Sequence, residues 1–253
     1  MSQVIVDPQE IERRGLMPIA PGVSKAVLVE TFNHILVSQI ELPGFERGFT
    51  AFEEKKDLYP FEEAKLYGHN AAHTMLGFLG AAVGESVLSK LSQYPEIMQE
   101  VRHAFLDESG AALVARYGRL GDDLFTASGF QSYVNDLLRR MTNSYLSDTI
   151  DRAVRDPARK LGWSDRLFGA IRFCMANGVA SPSLAVGAMA GLQMMSGEGS
   201  FKRPMTGEEI DRCLATLWDS SSCDEAVRGR IRNELEQAQV RLLRLVSSAN
   251  TYH

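Results

Sequence analysis

Apolar residues recur at intervals of three and four positions through most of the chain after residue 24, which is the spacing of amphipathic α-helices. The first such stretch is KAVLVETFNHILVSQI, which Pro43 and Gly44 end. The spacing resumes at Phe61 and continues to the last predicted helix, DEAVRGRIRNELEQAQVRLLRLVSSA. Because no series of alternating strands is visible, the pattern predicts an all-α chain.

Local signals predict where several of these helices begin and end. Capping residues are predicted at five places: the N-caps Asn143 and Ser164, the C-terminal glycine Gly178, and the capping boxes Thr206–Glu209 and Ser222–Glu225. Residues 143–157 are predicted to form one helix that Pro157 ends. The charged stretch FERGFTAFEEKKDLYPFEE is predicted to be a connection or a short hairpin.

The chain is divided here into an N-terminal extension, residues 1–24, a helical domain, residues 25–200, and C-terminal helices, residues 201–253, packed on the same domain. Its 253 residues, 45% of them hydrophobic, are enough to bury one substantial core. The longest weakly polar run, SLAVGAMAGLQMMSG, has about 15 residues, fewer than the roughly 20 that a membrane-spanning helix needs. We therefore interpret it as a buried helix and expect no membrane span.

Charge and cysteine usage exclude several classes of protein. A formal net charge of -5 argues against a general nucleic-acid-binding surface, which requires clustered positive charge. The three cysteines are widely spaced and form no CxxC pair, which argues against a disulfide framework and a thiolate zinc site: Cys174, Cys213 and Cys223. The N-terminus, MSQVIVDPQEIERRG, has acidic residues and no long apolar core, so it is not predicted to be a secretory signal. These features favour a cytoplasmic protein.

The stretch EEAKLYGHNAAH, residues 62–73, concentrates polar side chains on one predicted helix. At about 100° per residue, Lys65, His69 and His73 lie on one side, with Asn70 within about 140° of Lys65. His69 and His73 have a spacing that can bind zinc, but no HExxH glutamate stands between them and no third ligand is evident. The stretch is therefore either a site without a metal or a solvated helix face.

A second cluster lies in SDTIDRAVRDPARK. Four basic residues fall within nine positions of this acidic chain: Arg152, Arg155, Arg159 and Lys160. Such a cluster can hold a phosphate by bidentate contacts. The alternative is ordinary surface ion pairing, because Asp148 precedes Arg152 by four positions and Asp151 precedes Arg155 by four. A cofactor loop is not visible, since the nearest approach to GxGxxG, SGEGSFKRP, lacks the third glycine and a preceding strand and is predicted to be a loop.

Three motifs, in this order, resemble the C-terminal domain of the mannitol dehydrogenase family, the polyol-specific long-chain dehydrogenases: K-x-x-x-x-N-x-x-H, RRMTNSYLSDTIDR and RDPARKLGWSDRL. The resemblance extends from about residue 25 to about residue 195 and is greatest with the members that act on mannitol 1-phosphate. It implies a multi-helix substrate domain that normally follows a Rossmann domain in the same polypeptide.

The resemblance also implies roles for five residues. Lys65 matches the catalytic lysine, the acid/base that handles the proton of the reacting hydroxyl. Asn70 matches the asparagine that hydrogen-bonds the developing alkoxide, and His73 matches the histidine that positions the substrate. Arg152 and Lys160 match substrate-binding positions. A lysine, with an ordinary pKa of about 10.4, serves as a base near neutral pH only when burial or nearby cations lower its pKa.

Three positions qualify this resemblance. Arg155 stands where members that act on phosphorylated polyols tend to have arginine and members that act on free polyols tend to have histidine, which predicts a sugar or polyol phosphate as ligand. Ser144 replaces the proline expected after Asn143. His69 is outside the family motif, and no role beyond packing or a supporting contact is assigned to it.

The family resemblance implies NAD(H) as cofactor, held mainly by a Rossmann domain that this sequence does not contain, and it implies no metal. Two hypotheses follow. The chain is either the substrate-binding and catalytic half of an NAD-dependent polyol or polyol-phosphate dehydrogenase, or a non-catalytic helical domain that binds a sugar phosphate or a protein partner. The first hypothesis requires a Rossmann domain from another chain or from a further part of the polypeptide. A surface that docks such a domain should be partly apolar, so a separate Rossmann chain or a homo-oligomer is the expected partner.

Overall fold

The computed structural model describes residues 2–29, 34–197, 201, 203–218 and 224–249. Contacts divide the chain into two compact units, Met1–Tyr59 and Pro60–His253. The boundaries predicted after residues 24 and 200 stay predictions.

The first unit contains two small sheets and one short helix. Strand β1 (Ser2–Ile5) pairs antiparallel with β2 (Ala26–Val29), and helix α1 (Pro8–Arg13) lies between them in the chain. Strand β3 (Ile35–Ser38) pairs in parallel with β4 (Phe52–Lys55). Each sheet has two strands.

The helix predicted over KAVLVETFNHILVSQI is therefore wrong, because the described parts of this stretch form β2 and β3. Valine, isoleucine and leucine in short runs suit a strand as well as a helix, and pairing with partners distant in sequence decided for the strand. The short hairpin predicted for FERGFTAFEEKKDLYPFEE is also wrong, since β4 in this stretch pairs in parallel with β3.

The second unit is helical, which confirms the all-α prediction for the part of the chain that carries the candidate site. Its α-helices are α2 (Tyr59–Glu63), α3 (Ala71–Ala82), α4 (Pro95–His103), α5 (Ala111–Tyr117), α6 (Ala127–Met141), α7 (Ile150–Val154), α8 (Pro157–Lys160), α9 (Arg166–Ala176), α10 (Pro182–Met195), α11 (Gly207–Leu217) and α12 (Glu225–Ala249). Two π-helical segments, Ala64–Asn70 and Ala104–Gly110, continue α2 into α3 and α4 into α5. Short 3₁₀ turns occupy Leu88–Gln93, Gly118–Leu120, Asp123–Phe125 and Ser144–Leu146.

Helix α3 is the central element of the helical unit, and α7 and α10 pack closely on it. A Cβ atom added at Gly77 would lie 2.7 Å from Cβ of Ala153 in α7. A Cβ added at Gly187 of α10 would lie 2.6 Å from Cγ of Met75 in α3. Real Cβ contacts are longer, so glycine at these positions permits the close approach of the helices. The approach of α7 is what brings its polar residues to α3.

The helix predicted over residues 143–157 is shorter than expected, and Pro157 begins a helix instead of ending one. Helix α7 ends at Val154, and Pro157 occupies the first turn of α8, where proline is favoured. Asp156 adopts a left-handed backbone with φ of 58° and caps α8 by accepting a hydrogen bond from the Arg159 amide. The left-handed residue reverses the chain between the two helices, which the simple stop signal of a proline did not predict.

Most of the predicted capping residues are found at helix ends. The side chain of Asn143 accepts a hydrogen bond from the Tyr145 amide at 3.0 Å, and Thr206 with Glu209 forms the predicted capping box. Gly178 follows α9 with φ of 72°, as predicted. The N-cap of α9 is Asp165, one residue after the predicted Ser164. Several other predictions fall on residues outside the described ones, namely the Ser222–Glu225 capping box, Cys223, and the loop at Gly199 and Lys202.

No helix within the described residues is both long and apolar enough to cross a membrane. Two of the three cysteines are described, and both Cys174 and Cys213 are free thiols.

The second π-helical segment places the buried carboxylate of Glu108 at the start of α10. Its oxygens accept hydrogen bonds from the amides of Ser183 at 2.6 Å and Leu184 at 2.8 Å. Burial raises the pKa of Glu108 from its ordinary value of 4.5 to about 7, although these hydrogen bonds act in the opposite direction. Between about pH 4.5 and 7, the folded protein therefore keeps a proton on Glu108 that the unfolded chain has already released.

Stability should depend on pH through Glu108. Between about pH 4.5 and 7 the folded state binds more protons at this group than the unfolded state, so its contribution to the free energy of unfolding falls as the pH rises. Relative to Glu108→Gln, the wild type should lose on the order of 2–3 kcal/mol across this window. Urea unfolding of both proteins at several pH values measures the difference. Parallel pH profiles would contradict the expectation.

Candidate functional site

The first part of the candidate site is the π-helical segment that contains Lys65 and Asn70. The amide of Ala71 donates to the carbonyl of Leu66, five residues earlier, which is the hydrogen bond of a π-turn. Residues five apart would lie about 140° apart on an α-helix, whereas a π-turn brings them to the same side. The π-segment therefore aligns Lys65 with Asn70, which the α-helical interpretation of the sequence did not.

Both side chains of this pair are accessible. Lys65 is exposed and Asn70 is partly exposed. Within the described residues, neither the Lys65 amine nor the Asn70 amide forms a side-chain hydrogen bond or an ion pair. Two donors with no internal partner are thus presented together on one helix face, where a ligand oxygen can be bound.

The second part is a hydrogen-bonded chain of three side chains that joins α3 to α7. Nε2 of His73, one turn after Asn70, lies 2.9 Å from Oδ2 of Asp148. Nε of Arg152 donates to Oδ1 of the same carboxylate at 2.7 Å. Asp148 is 3% exposed, while the Arg152 side chain is 46% exposed. Two predicted site residues that lie far apart in the sequence, His73 and Arg152, are thus connected through one buried carboxylate.

The backbone around Asp148 is held firmly. Its carbonyl accepts a hydrogen bond from the Leu88 amide at 2.9 Å, and the Ile150 amide donates to the Ser86 carbonyl at 2.9 Å. Burial by itself would raise the pKa of the Asp148 carboxyl, but hydrogen bonds from His73 and Arg152 outweigh it and lower the pKa to about 2. Asp148 is therefore ionised at neutral pH and can only accept hydrogen bonds.

Lys160 lies beneath the basic cluster. Its side chain is buried, with 3% of the residue exposed, and its ammonium donates to the carbonyl oxygens of Ala153, at 2.7 Å, and of Arg155. Burial, together with the nearby guanidinium groups of Arg166 and Arg159, lowers the pKa of Lys160 to about 8. Lys160 thus holds the C-terminal end of α7, from which Arg155 extends.

The other basic side chains differ in how far they are neutralised. Arg155 is exposed, and no ion pair with Asp151 is present among the described residues. Arg159 is paired with Asp156, with Nε and Oδ2 2.9 Å apart. The alternative that Arg155 forms a surface ion pair with Asp151 is therefore wrong. The Arg152–Asp148 pair that the same alternative anticipated is present, but the Asp148 carboxylate is buried.

His69 lies between Lys65 and His73 on the same helix. Burial, together with smaller contributions from the nearby His73, Arg140 and Lys65, lowers the pKa of His69 to about 4. Its imidazole is therefore neutral at neutral pH. The part of the chain that the structure describes contains no group of three or more histidine, cysteine, aspartate or glutamate side chains arranged to hold a metal ion.

Sequence reasoning missed two contributors to this region. Asp148 was interpreted only as half of a surface ion pair, although its position between Leu146 and Ile150, both buried, indicates a buried carboxylate. The sequence motifs assign no role to Arg166, yet its Nη1 donates to Oγ1 of Thr74 at 3.0 Å, next to His73 on α3. Spacing along one element gives no signal for either contact, because each joins elements distant in sequence.

The described residues do not fit a bound dinucleotide. The four described strands are four residues long, and none leads through a GxGxxG turn into a helix, the arrangement that cradles a pyrophosphate. The exposed donors of Lys65 and Asn70 can bind ligand oxygens, and the basic cluster can attract an anion.

Three comparisons with known proteins bear on the family and the fold of the chain. The mannitol dehydrogenase C-terminal domain profile matches residues 57–231. Mannitol-1-phosphate 5-dehydrogenase of Brevibacillus brevis is 31% identical over 224 residues, which are 86% of this chain and 54% of that enzyme. The crystal structure of D-sorbitol dehydrogenase in substrate-free form superposes with a TM-score of 0.53 at 17% identity, covering 78% of this chain and 42% of that one.

The structural likeness at this identity shows the fold alone, while the profile match covers more than half of the chain. The chain spans about half the length of the curated relative that it matches. The resemblance inferred from the sequence motifs is thereby confirmed. This chain belongs to the mannitol dehydrogenase family and contains the C-terminal domain of that family.

Proposed function

We propose that the chain is the substrate-binding and proton-transferring half of an NAD-dependent polyol or polyol-phosphate dehydrogenase, with mannitol 1-phosphate as the first candidate substrate. The observation that carries the proposal is the Asp148 bridge. Asp148 lies 75 positions after His73 in the sequence and joins it to Arg152, next to the π-turn that aligns Lys65 with Asn70. The relative from Brevibacillus brevis supplies the candidate substrate.

In the proposed reaction, a polyol loses a hydride from carbon and a proton from the hydroxyl on that carbon. The Lys65 amine takes the hydroxyl proton as general base. The Asn70 amide donates a hydrogen bond to the developing alkoxide without adding a charge. His73 positions a neighbouring hydroxyl, and Asp148 keeps its ring in place.

The basic cluster favours a phosphorylated substrate. Arg155 is exposed and lacks an ion pair among the described residues, so its planar guanidinium can form two parallel hydrogen bonds to phosphate oxygens. Lys160 adds positive charge from below and fixes the backbone from which Arg155 extends. Arg152, in α7, carries a guanidinium that is nearly half exposed.

The hydride acceptor in this proposal is NAD, held by a dinucleotide-binding domain from another chain or from a further part of the polypeptide. Exposed apolar side chains concentrate in the first unit, which supports a docked partner domain or a second copy of the chain. They are Val4, Val6, Met17, Ile19, Val23, Val29, Ile35, Ile40, Leu42, Phe45, Phe49 and Tyr59. The free thiols Cys174 and Cys213 are consistent with the cytoplasm as the proposed compartment.

Complementation tests the proposal. The chain is mixed with the part of the Brevibacillus brevis enzyme that lies outside the match, and NADH formation is followed with mannitol 1-phosphate. Activity is expected with both components together and with neither alone, because the described residues form no pyrophosphate cradle. Turnover by the chain alone would contradict the account of a separate cofactor domain. A complex of the two proteins that binds mannitol 1-phosphate by calorimetry but does not turn it over would favour the non-catalytic alternative.

A further inference from the structure

We infer that Asp148 is the positioning residue of this site: its buried carboxylate holds His73 in the tautomer with the proton on Nε2 and fixes the Arg152 guanidinium, so that both meet the ligand in one arrangement. The ligand part of this inference rests on the proposed function, whereas the tautomer part does not.

Each oxygen of the carboxylate has its own partner. Oδ2 lies 2.9 Å from Nε2 of His73, and Oδ1 lies 2.7 Å from Nε of Arg152. Asp148 is almost completely buried, and hydrogen bonds of the Leu88 and Ile150 amides hold the backbone on both sides of it. Moving the carboxylate would therefore break contacts in three segments, so it is a fixed point to which the two exposed or partly exposed side chains are attached.

The chemistry of the carboxylate sets the tautomer. An ionised carboxylate only accepts hydrogen bonds, so Nε2 of His73 must donate. In the neutral ring the proton is then on Nε2, and Nδ1 is an acceptor. No hydrogen bond to Nδ1 is present among the described residues, and Nδ1 is therefore able to accept a hydrogen bond from a hydroxyl group of a ligand.

This assignment has a consequence for recognition. A polyol presents hydroxyl groups, each of which can donate one hydrogen bond. With the proton on Nε2, His73 accepts from a substrate hydroxyl, whereas the opposite tautomer would present an N–H group. Asp148 thus selects the polarity of the contact that His73 offers, although it lies behind His73 and makes no contact with the ligand itself.

The stability of an ion pair does not by itself explain why the Asp148 carboxylate is buried. Burying a carboxylate carries a large desolvation cost, which only well-placed hydrogen-bond partners offset. That cost is offset here by two partners, both of which are proposed to contact substrate. A purely structural carboxylate would not require either partner to face a ligand.

The tautomer is measured directly by ¹⁵N NMR of the 253-residue chain with labelled histidine. His73→Gln identifies the resonances of His73 by their loss. With the ring in its neutral form, the wild type should show a protonated Nε2 and an unprotonated Nδ1, and Asp148→Asn should convert this to a mixture of tautomers. A wild-type His73 with its proton on Nδ1 would overturn the inference, whatever the chain binds.

Ligand binding is measured by calorimetry with mannitol 1-phosphate, with the dinucleotide-binding domain of the relative present. Asp148→Asn should weaken binding by about 10- to 100-fold, the range for loss of hydrogen bonds to a charged group. The matched control is Asp151→Asn, which changes an exposed aspartate in α7, close to Asp148 in the sequence, and should leave affinity unchanged. Asp148→Glu, which keeps the charge, should recover part of the loss.

A double-variant cycle separates positioning from stability. If Asp148 acts through its two partners, adding Asp148→Asn to the His73→Gln/Arg152→Gln protein should weaken binding no further. An additive loss, or a loss in Asp148→Asn alone that disappears when binding is measured well below its melting temperature, would show a merely structural role. If the wild type binds neither mannitol 1-phosphate nor mannitol, the proposed function fails while the tautomer result still decides the role of Asp148 toward His73.

Discussion

Lys65→Ala should lower kcat of the complemented enzyme by about 100- to 10,000-fold, the range that one positioned acid/base group contributes. The amine is the group proposed to take the hydroxyl proton, and it lies on the π-turn with Asn70, which is proposed to bind the same oxygen. KM for mannitol 1-phosphate should change far less, because a base acts mainly in the transition state. Steady-state kinetics with the dinucleotide-binding domain supplied gives both constants.

Three further measurements separate proton transfer from charge. Lys65→Arg keeps the positive charge but cannot release its proton near neutral pH, so it should be nearly as inactive as Lys65→Ala. Small primary amines added to Lys65→Ala should restore part of kcat. Lys90→Ala, which removes an exposed lysine paired with Glu85, should leave kcat unchanged. Full activity of Lys65→Arg would show that Lys65 supplies charge alone.

Arg155→His should lower the affinity for mannitol 1-phosphate by about 10- to 100-fold and leave that for mannitol nearly unchanged. The loss of hydrogen bonds between a guanidinium and a phosphate accounts for about 1.5–3 kcal/mol. A neutral imidazole offers hydroxyl groups a partner but matches two phosphate oxygens poorly. Since Arg155 has no ion pair among the described residues, its replacement should cost little in stability.

Calorimetry with mannitol 1-phosphate and mannitol, in wild type and variant, tests this preference. The control is Arg139→His, which replaces an exposed arginine that is paired with Asp136 and lies outside the basic cluster. Its ligand preference should equal that of the wild type. If mannitol binds the wild type as tightly as its phosphate, or if Arg155→His preserves the preference, the phosphate assignment should be abandoned.

The sequence by itself determined the helical character of the second unit and the grouping of Lys65, Asn70 and His73 on one element. Both depend on contacts within a few residues, which periodicity and spacing report directly. Short motifs with fixed internal spacing also determined the family, and the profile match over residues 57–231 confirms it. Local capping at Asn143 and at Thr206 was predictable for the same reason.

The strands of the first unit were decided by the tertiary structure. The segments that form β2 and β3 are short and apolar, and their periodicity suits a helix equally well. Pairing with β1 and β4, which are distant in sequence, resolved the ambiguity. The left-handed backbone of Asp156, between α7 and α8, is likewise seen only in the structure.

The arrangement of the site also depends partly on the sequence and partly on the tertiary structure. The sequence identified the polar residues, but an α-helical interpretation of their spacing did not predict the π-turn that aligns Lys65 with Asn70. The close approach of α7 to α3 at Gly77 brings Asp148 to His73. Helix α7 ends at Val154, so Arg155 lies outside the helical spacing that suggested an ion pair with Asp151. Spacing along a helix indicates which side chains can meet. Packing between helices decides which side chains are removed from contact with water, and therefore which charged groups need a hydrogen-bond or ion-pair partner.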